Sequence, residues 1–523
     1  MALCAALAGA LLIIDPQVRD LSAHVYRAEL FEREGLAIWN GSWFGGHYTL
    51  TYSLLYPPLG AVLSPQLVGA LAAPASTYCF DALVRSRWGE RAIWASLWFA
   101  VLAAAVFANG NIAFLLGVAF GLGSLLALQR EQPWLALLAA LACSLSSPVA
   151  AAFLAGVALV VAVVARDRRT VAVVTAVAAL LPVALLNLIF PEQSEQPFSF
   201  NSWIAVPLWC GGALLATRRL PGEGALRIAL VAYAAAVTLV WLVPNPLGDN
   251  ALRLAAYFGG PLLLAILLAH PSARWDAVTA AVAIATLAWS VYWPLADPID
   301  ELADASGDPS AEAGFYAPLE SWLRDHGGQR VRIEVPVTEN YWESAHLAPE
   351  FTLARGWLRQ LDSDRNELFF KEELDPVRYR EWLRHNGVRY VALPAADPHA
   401  YGDTERELVL SEPPYLEPRW SSEDWRVWEV AGTRPMVEGL AGRRAELIAL
   451  DPQSFTLEVR SPGSFRVLVR SSPYWEIAAG SGCVAEDPPW TEVRADRPGT
   501  LRVEARFSLA AASRALRGVE RSC

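Results

Sequence analysis

Between Asp15 and Pro58 the chain gathers most of the side chains that could do chemistry. The segment Arg19 to Gly35 has helical character and ends on a glycine suited to a C-cap. At about 100° per residue, Asp20, His24, Arg27 and Phe31 fall in one stripe, and Leu21, Val25 and Ala28 lie on a neighbouring apolar face. The pattern predicts a helix lying in a membrane interface, apolar side down, that presents an acid, an imidazole and a guanidinium together. A carboxylate there could take a proton, and the arginine's fork of donors suits a phosphate. The same spacing also fits a plain solvated face with i,i+4 pairs.

After that helix comes Trp39-Asn-Gly-Ser-Trp43-Phe-Gly45-Gly46-His47-Tyr48. Paired glycines let a backbone approach a ligand closely, and the aromatics suit a sugar face or a lipid headgroup zone. An aromatic belt with a turn reads equally well. Further along, Asn245 to Arg253 includes Asn250 and the only arginine at an outer span end beyond the first loop. Arg253 either grips a lipid-linked phosphate or snorkels to headgroups. Glu192 and Glu195 offer a second acid or a solvated loop. Asn340-Tyr-Trp342-Glu343 and Arg355-Gly-Trp357-Leu-Arg359 mix aromatics with charge, as carbohydrate contacts do; a buried tryptophan beside an internal salt bridge fits them too.

These groups must be positioned by two very different halves. The chain has 523 residues and a net charge of −11. Residues 1–294 carry 15 basic and 14 acidic side chains, whereas residues 295–523 carry 27 and 39. Charge density therefore rises from about 10% to about 29%, the second value close to the soluble norm. About eleven apolar runs could cross a bilayer: 2–14, 59–84, 92–108, 112–128, 133–146, 148–165, 171–190, 202–217, 225–244, 251–269 and 277–294. No basic residue precedes the first, which reads as a span lacking its start; a signal peptide is the alternative. Alternate loops hold Arg85, Arg87 and Arg91; Arg130; Arg166, Arg168 and Arg169; Arg218, Arg219 and Arg227; and Arg274. The intervening loops near 109–111, 191–201 and 245–250 have none. That alternation places 15–58 and 295–523 on the outer face of a plasma membrane.

The expected architecture is a polytopic α-helical membrane domain over 1–294, with its first outer loop at 15–58. An extracytoplasmic α/β subdomain follows over 295–432 and a β-sandwich over 433–523. Helices are expected at Tyr316–His326 and Pro376–His385, and strands at Arg330–Val335, Val388–Leu393, Phe455–Arg460, Phe465–Arg470 and Thr500–Phe507. Cys4, Cys79, Cys143 and Cys210 fall in spans, and Cys483 and Cys523 are expected to pair in the oxidising outer compartment.

Several functions are excluded. Lys371 is the only lysine and the outer half is strongly acidic, so nucleic acid is not a partner. No Walker loop, HExxH or CxxC is present. Asp81, near the inner end of its run with Arg85 four residues on, is the one acid inside a predicted span, which weakens a transporter reading.

The run from Asp20-Leu-Ser-Ala-His24 through Trp43-Phe-Gly-Gly-His47 to Tyr56-Pro-Pro58 resembles the GT-C superfamily of membrane glycosyltransferases. It is similar in particular to bacterial multi-span proteins of that superfamily, some labelled as transporters or as related to 6-pyruvoyl-tetrahydropterin synthase. The resemblance implies a polyprenyl-phosphate-linked sugar as donor and a cell-envelope glycan or lipid as acceptor, with inversion at the anomeric carbon. It puts the catalytic acid on Asp20, with Asp15 as second choice and His24 beside it. Arg27, Arg253, Asn250 and His47 would hold the donor phosphate. Trp43, Tyr48, Trp342, Glu343, Arg355 and Trp357 would meet the acceptor. Part of the superfamily uses a metal held by paired acids; no such pair stands out, so no cofactor is expected and a divalent metal has no support. The rival readings are a transporter or lipid-handling protein and a non-catalytic scaffold that binds envelope glycan.

Overall fold

The computed structural model describes the chain except Gln193, residues 272–274 and Glu372. Arg274, one of the loop arginines, lies outside the described residues. By its contacts the chain divides into two units. The first comprises Met1–His24, Tyr52–Leu185 and Ser194–Ala303, and the second Val25–Thr51, Leu186–Gln193 and Asp304–Cys523.

The first unit is helical. It contains α1 (Ala2–Ile14), the first residues of α2 (Arg19–Glu34), α3 (Tyr56–Leu63), α4 (Pro65–Trp88), α5 (Ile93–Ala108) and α6 (Ile112–Gln129). Then follow α7 (Pro133–Ser146), α8 (Pro148–Val164), α9 (Arg169–Ile189), whose last turn from Leu186 belongs to the second unit, α10 (Phe200–Thr217), α11 (Gly224–Leu242), α12 (Gly260–Ala269) and α13 (Ala277–Asp304). Among the described residues, eight helical stretches are long and apolar enough to cross a bilayer, and α1, α7 and α8 are shorter apolar helices. The chain is a multi-pass membrane protein with β-sheet domains in its C-terminal part. Exposed leucines and valines all along these helices are what a lipid-facing surface requires.

Two helix ends differ from the sequence pattern. The run 59–84 is broken at Ser64, which has φ 78° and accepts a hydrogen bond from Leu67 N to cap α4. The last helix runs on to Asp304 through Pro294 and Pro298, well past residue 294. Charge marks where hydrocarbon ends, not where helical hydrogen bonding ends. Asp297 and Glu301 therefore ride on a span helix, and Asp81 is not alone among span acids.

Part of the loop assigned from sequence to the membrane domain, residues 25–51, belongs to the second unit. There β1 (Trp39–Asn40) and β2 (His47–Tyr48) form a hairpin with Trp39 opposite Tyr48. The region after Asp304 holds a five-stranded mixed sheet. Its strands are β3 (Arg332–Glu334), β4 (Thr352–Leu353), β5 (Val388–Pro394), β6 (Leu416–Ser421) and β7 (Trp425–Val430), in the order β4-β3-β5-β7-β6. Helices α14 (Ala313–Asp325), α15 (Glu343–His346), α16 (Arg359–Arg365), α17 (Pro376–His385) and α18 (Asp403–Leu410) are interspersed with these strands.

Beyond it, β8 (Val437–Gly439), β9 (Ala445–Asp451), β10 (Ser454–Val459) and β11 (Gly463–Arg470) join β12 (Trp475–Ala479), β13 (Gly482–Asp487), β14 (Trp490–Ala495) and β15 (Gly499–Ala505). They make two four-stranded antiparallel sheets, β12-β15-β10-β9 and β13-β14-β11-β8. Alternating inward residues such as Phe455, Leu457, Phe465, Val467, Val493 and Val503 form one core, as two stacked sheets demand. A final helix, α19 (Leu509–Arg517), follows. Cys483 and Cys523 are disulfide-bonded with Cα atoms 5.8 Å apart, and Cys4, Cys79, Cys143 and Cys210 are free.

Candidate active site

In the helical unit, charge converges around Glu301. Its carboxylate interacts electrostatically with Asp20, Arg19, Asp297 and Arg253. The Tyr257 phenol interacts with Arg253, Asp297, Glu301 and Asp20. Glu301 Oε2 is buried with no hydrogen-bond partner among the described residues. Asp20, Arg19, Arg253, Tyr257 and Glu301 are all half-buried, neither immersed in solvent nor sealed in a core. Three carboxylates, two guanidiniums and a phenol thus share one neighbourhood. Among the described residues, no three His, Cys, Asp or Glu side chains are arranged to hold a metal ion.

Local structure explains the convergence. Asp20 sits in the first turn of α2, and the α5–α6 turn presses on that turn. Gly110 in it has φ 69°, and a Cβ there would lie 2.6 Å from Leu21 N. Only glycine combines that backbone with that approach. Arg253 and Tyr257 are one helical turn apart in a broken span, where a 3₁₀ turn (Gly248–Leu252) leads into a π segment (Ala255–Gly259) and then α12. The π segment adds a residue to the turn and re-aims what it carries. The Phe114 ring, in the first turn of α6, lies 5.0 Å under the Arg253 guanidinium and 6.2 Å from the Tyr257 ring. Asp297 and Glu301 share a face of α13 by their four-residue spacing.

The other residues singled out from sequence fall in different places. Asp15 is exposed, ends α1 in a left-handed conformation and accepts a 3.1 Å hydrogen bond from Gln66 Nε2. It lines a small apolar cleft with Leu11, Val18, Leu21, Phe107 and Ile112. His24 is buried; its ring packs 4.5 Å from Tyr56 and 6.0 Å from Tyr52, and its carbonyl accepts from the Tyr56 hydroxyl at 2.9 Å. It anchors the helix that carries Asp20, and the expected one-sided helix is corrected: Ser22, His24, Tyr26, Ala28 and Leu30 are buried on several sides of α2. Asn250 lies in the 3₁₀ turn before Arg253, beside Asp249, whose carboxylate accepts from Gln196 Nε2 at 2.9 Å.

In the second unit, the aromatic hairpin is built around itself. Trp43 is fully buried, stacks on Tyr26 at 4.4 Å and donates to Ser344 O; the Arg27 guanidinium lies 5.9 Å from its ring. Gly46, at φ 121°, accommodates Trp39, whose ring a Cβ would meet at 2.2 Å. The close approach is therefore to the protein's own indole and not to a ligand. Burial and the guanidiniums of Arg365 and Arg27 hold the His47 imidazole well below the usual histidine range, so it is neutral and no phosphate cation. Tyr48 bonds Ser472 through its hydroxyl and Glu192 through its N–H. Glu192 is no solvated loop acid: it pairs with Arg365 at 2.6 Å, and burial pushes it up to about 7.

Most of the expected acceptor contacts are likewise interior. Trp342, Glu343 and Arg355 are at most 3% exposed. Arg355 bridges Glu334 at 2.8 Å and also Glu405, which accepts from the Tyr379 hydroxyl. Glu343 accepts from Thr338 Oγ1, and burial pushes it up to about 7. These groups serve the fold's interior, where most of their polar atoms are paired and Arg355 Nη1 and Glu334 Oε2 have no hydrogen-bond partner among the described residues. Trp357 remains half-buried, 4.0 Å from Tyr341, and nearby Arg359 donates to the Tyr401 hydroxyl at 2.6 Å while lying over its ring.

The sequence reading missed Glu301, Asp297, Arg19 and Tyr257. The i,i+4 pair Asp297/Glu301 was a visible signal, masked by ending the last span at residue 294.

No family model matches the sequence, and no curated protein matches it. Among solved structures, the chain is similar to the arabinofuranosyltransferase AftD from mycobacteria, with 14% identity and a TM-score of 0.46. The alignment covers 97% of this chain and 57% of that one, so this chain spans a little over half of the AftD structure's length.

Proposed function

We propose that this protein is a GT-C-like membrane glycosyltransferase that moves a sugar from a polyprenyl-phosphate donor to an outer-face glycan or lipid acceptor. The observation that carries the reading is the shared neighbourhood of Asp20, Glu301, Arg19, Arg253 and Tyr257. Asp20 accepts the proton of the acceptor hydroxyl as its oxygen attacks the anomeric carbon. The bond from that carbon to the phosphate oxygen breaks, and polyprenyl phosphate leaves with inversion. A base near a reacting hydroxyl and fixed cations near a departing phosphate are what such an oxocarbenium-like transition state requires.

In this reading Arg253 and Arg19 receive the phosphate, a revision of the expectation that Arg27 and His47 do so. Glu301 fixes the guanidiniums and leaves Asp20 to the acceptor. The half-buried Trp357, Arg359 and Tyr401 supply the remaining carbohydrate-suited patch of the C-terminal part. The arginine-rich and arginine-free loops alternate so that the C-terminal part lies outside the cytoplasm.

The test uses the full-length protein in membranes supplied with a panel of polyprenyl-phosphate-linked sugars and envelope acceptor. The reading expects sugar transfer by the natural chain and transfer lowered by about 10²-fold or more in a folded Asp20→Asn variant. Equal product from both, or none from the natural chain with any donor, overturns it in favour of a lipid-handling or scaffold role.

A further inference from the structure

The C-terminal helix α19 buries only a narrow face. Ala511 and Ala512 point inward, whereas Leu509 is 82% exposed and Leu516 55%. At about 100° per residue these two leucines lie within about 20° of one another, one on each turn. Phe507 before the helix and Val519 after it are also more than half exposed. Large apolar side chains aligned on one face of a short helix mark a surface that is covered in the working protein.

The covering partner is indicated by what adjoins the helix. The span helix α9 ends at Ile189, and its last residues, Leu186 and Ile189, pack against the sandwich core. The Tyr474 hydroxyl donates to Ile189 O at 2.6 Å. The Phe190 ring, directly after the span, lies 6.2 Å from the Phe507 ring, and Tyr474 stacks on Phe507 at 6.0 Å. The start of α19 therefore adjoins the last turn of a helix long and apolar enough to cross a bilayer. Around it Arg506 pairs with Glu504 at 2.9 Å, and Arg514 and Arg521 donate to the carbonyls of Pro473 and Trp475, which leaves the exposed Arg517 as the outward cation of the helix.

We infer that α19 is an in-plane membrane helix, with Leu509 and Leu516 set into the acyl boundary of the bilayer that the same chain spans and Arg517 at its phosphates. Aligned apolar residues with basic neighbours at headgroup depth are the composition of an interfacial helix. The helix is pinned for this at both ends. Ser508 caps its start by accepting from Ala511 N. Past its end, Arg521 and Glu486 exchange two hydrogen bonds, and Cys523 is tied to Cys483 on β13. The inference does not rest on the proposed transferase activity.

The test places the photo-crosslinking residue p-benzoylphenylalanine separately at Leu509 and Leu516 of the full-length protein in phospholipid nanodiscs. Both positions are exposed, so neither substitution disturbs packing. After irradiation, mass spectrometry of the C-terminal peptide is expected to show a phospholipid adduct at both positions. An adduct to a second copy of the chain, or no adduct at either position, overturns the inference.

Discussion

Glu301, near the end of α13, lies within electrostatic reach of Asp20, in the first turn of α2, although nearly the whole helical unit separates them in sequence. The second and the last helices of the unit therefore contribute to one polar site. Its two arginines set how the site treats an anion, and its carboxylates set how it treats a proton.

If Asp20 is the base, its removal costs the contribution of a positioned proton acceptor. Asp20→Asn is expected to lower transfer about 10²- to 10⁴-fold. Glu301→Gln, which alters the setting of the arginines, is expected to act mainly through the donor's KM. Steady-state rates at varied donor and fixed acceptor separate the two.

Arg253 provides a planar fork that lysine cannot reproduce. Arg253→Lys keeps the charge over Phe114 but loses paired donors, so donor KM should rise about tenfold with little change in thermal midpoint. Arg253→Ala should cost more in both KM and kcat. A pure headgroup-snorkelling role would leave both parameters unchanged.

Gly110 tests how the site is positioned without touching it. Gly110→Val inserts a branched side chain where a Cβ would already be 2.6 Å from Leu21 N and asks it to hold φ 69°. The expected cost is about 2–4 kcal/mol of stability, with loss of activity as α2 is displaced. Gly123, with open space around it, is the control: Gly123→Ala should change neither, as read by melting and transfer assays.

The buried Glu343 predicts a pH dependence. Its ordinary value is near 4.5 and burial raises it to about 7, so between these values the folded chain holds a proton that the unfolded chain has lost. That contribution to stability is present below about pH 4.5 and declines as pH rises through 7. Glu343→Gln keeps an acceptor for Thr338 and cannot ionise. Its melting midpoint relative to the natural chain should therefore climb with pH across this window, by the equivalent of up to about 3 kcal/mol, and level off above it.

The Cys483–Cys523 bond closes a 40-residue separation. Cys523→Ser should lower the stability of the C-terminal part by up to about 4 kcal/mol on the chain-entropy argument. It should also abolish the mobility difference between reduced and non-reduced samples on a denaturing gel.

The sequence by itself determined what depends on local physics. Hydropathy over windows of about 20 residues located the apolar helices, because each must satisfy its own backbone in lipid. Residue patterning placed strands at Val388–Leu393, Phe455–Arg460 and Phe465–Arg470 and a helix at Pro376–His385, within a residue or two of β5, β10, β11 and α17. The helical stripe brought Asp20 into view. Only tertiary structure decided which polar groups remain available for chemistry. Trp43, Trp342, Glu343 and Arg355 look like carbohydrate ligands in the sequence, but non-local packing encloses them and uses their hydrogen bonds internally. Glu301 looks like the start of a soluble domain until α13 is seen to continue and carry it to Asp20. Burial and proximity are sums over neighbours distant in the chain, and no window along the sequence contains them.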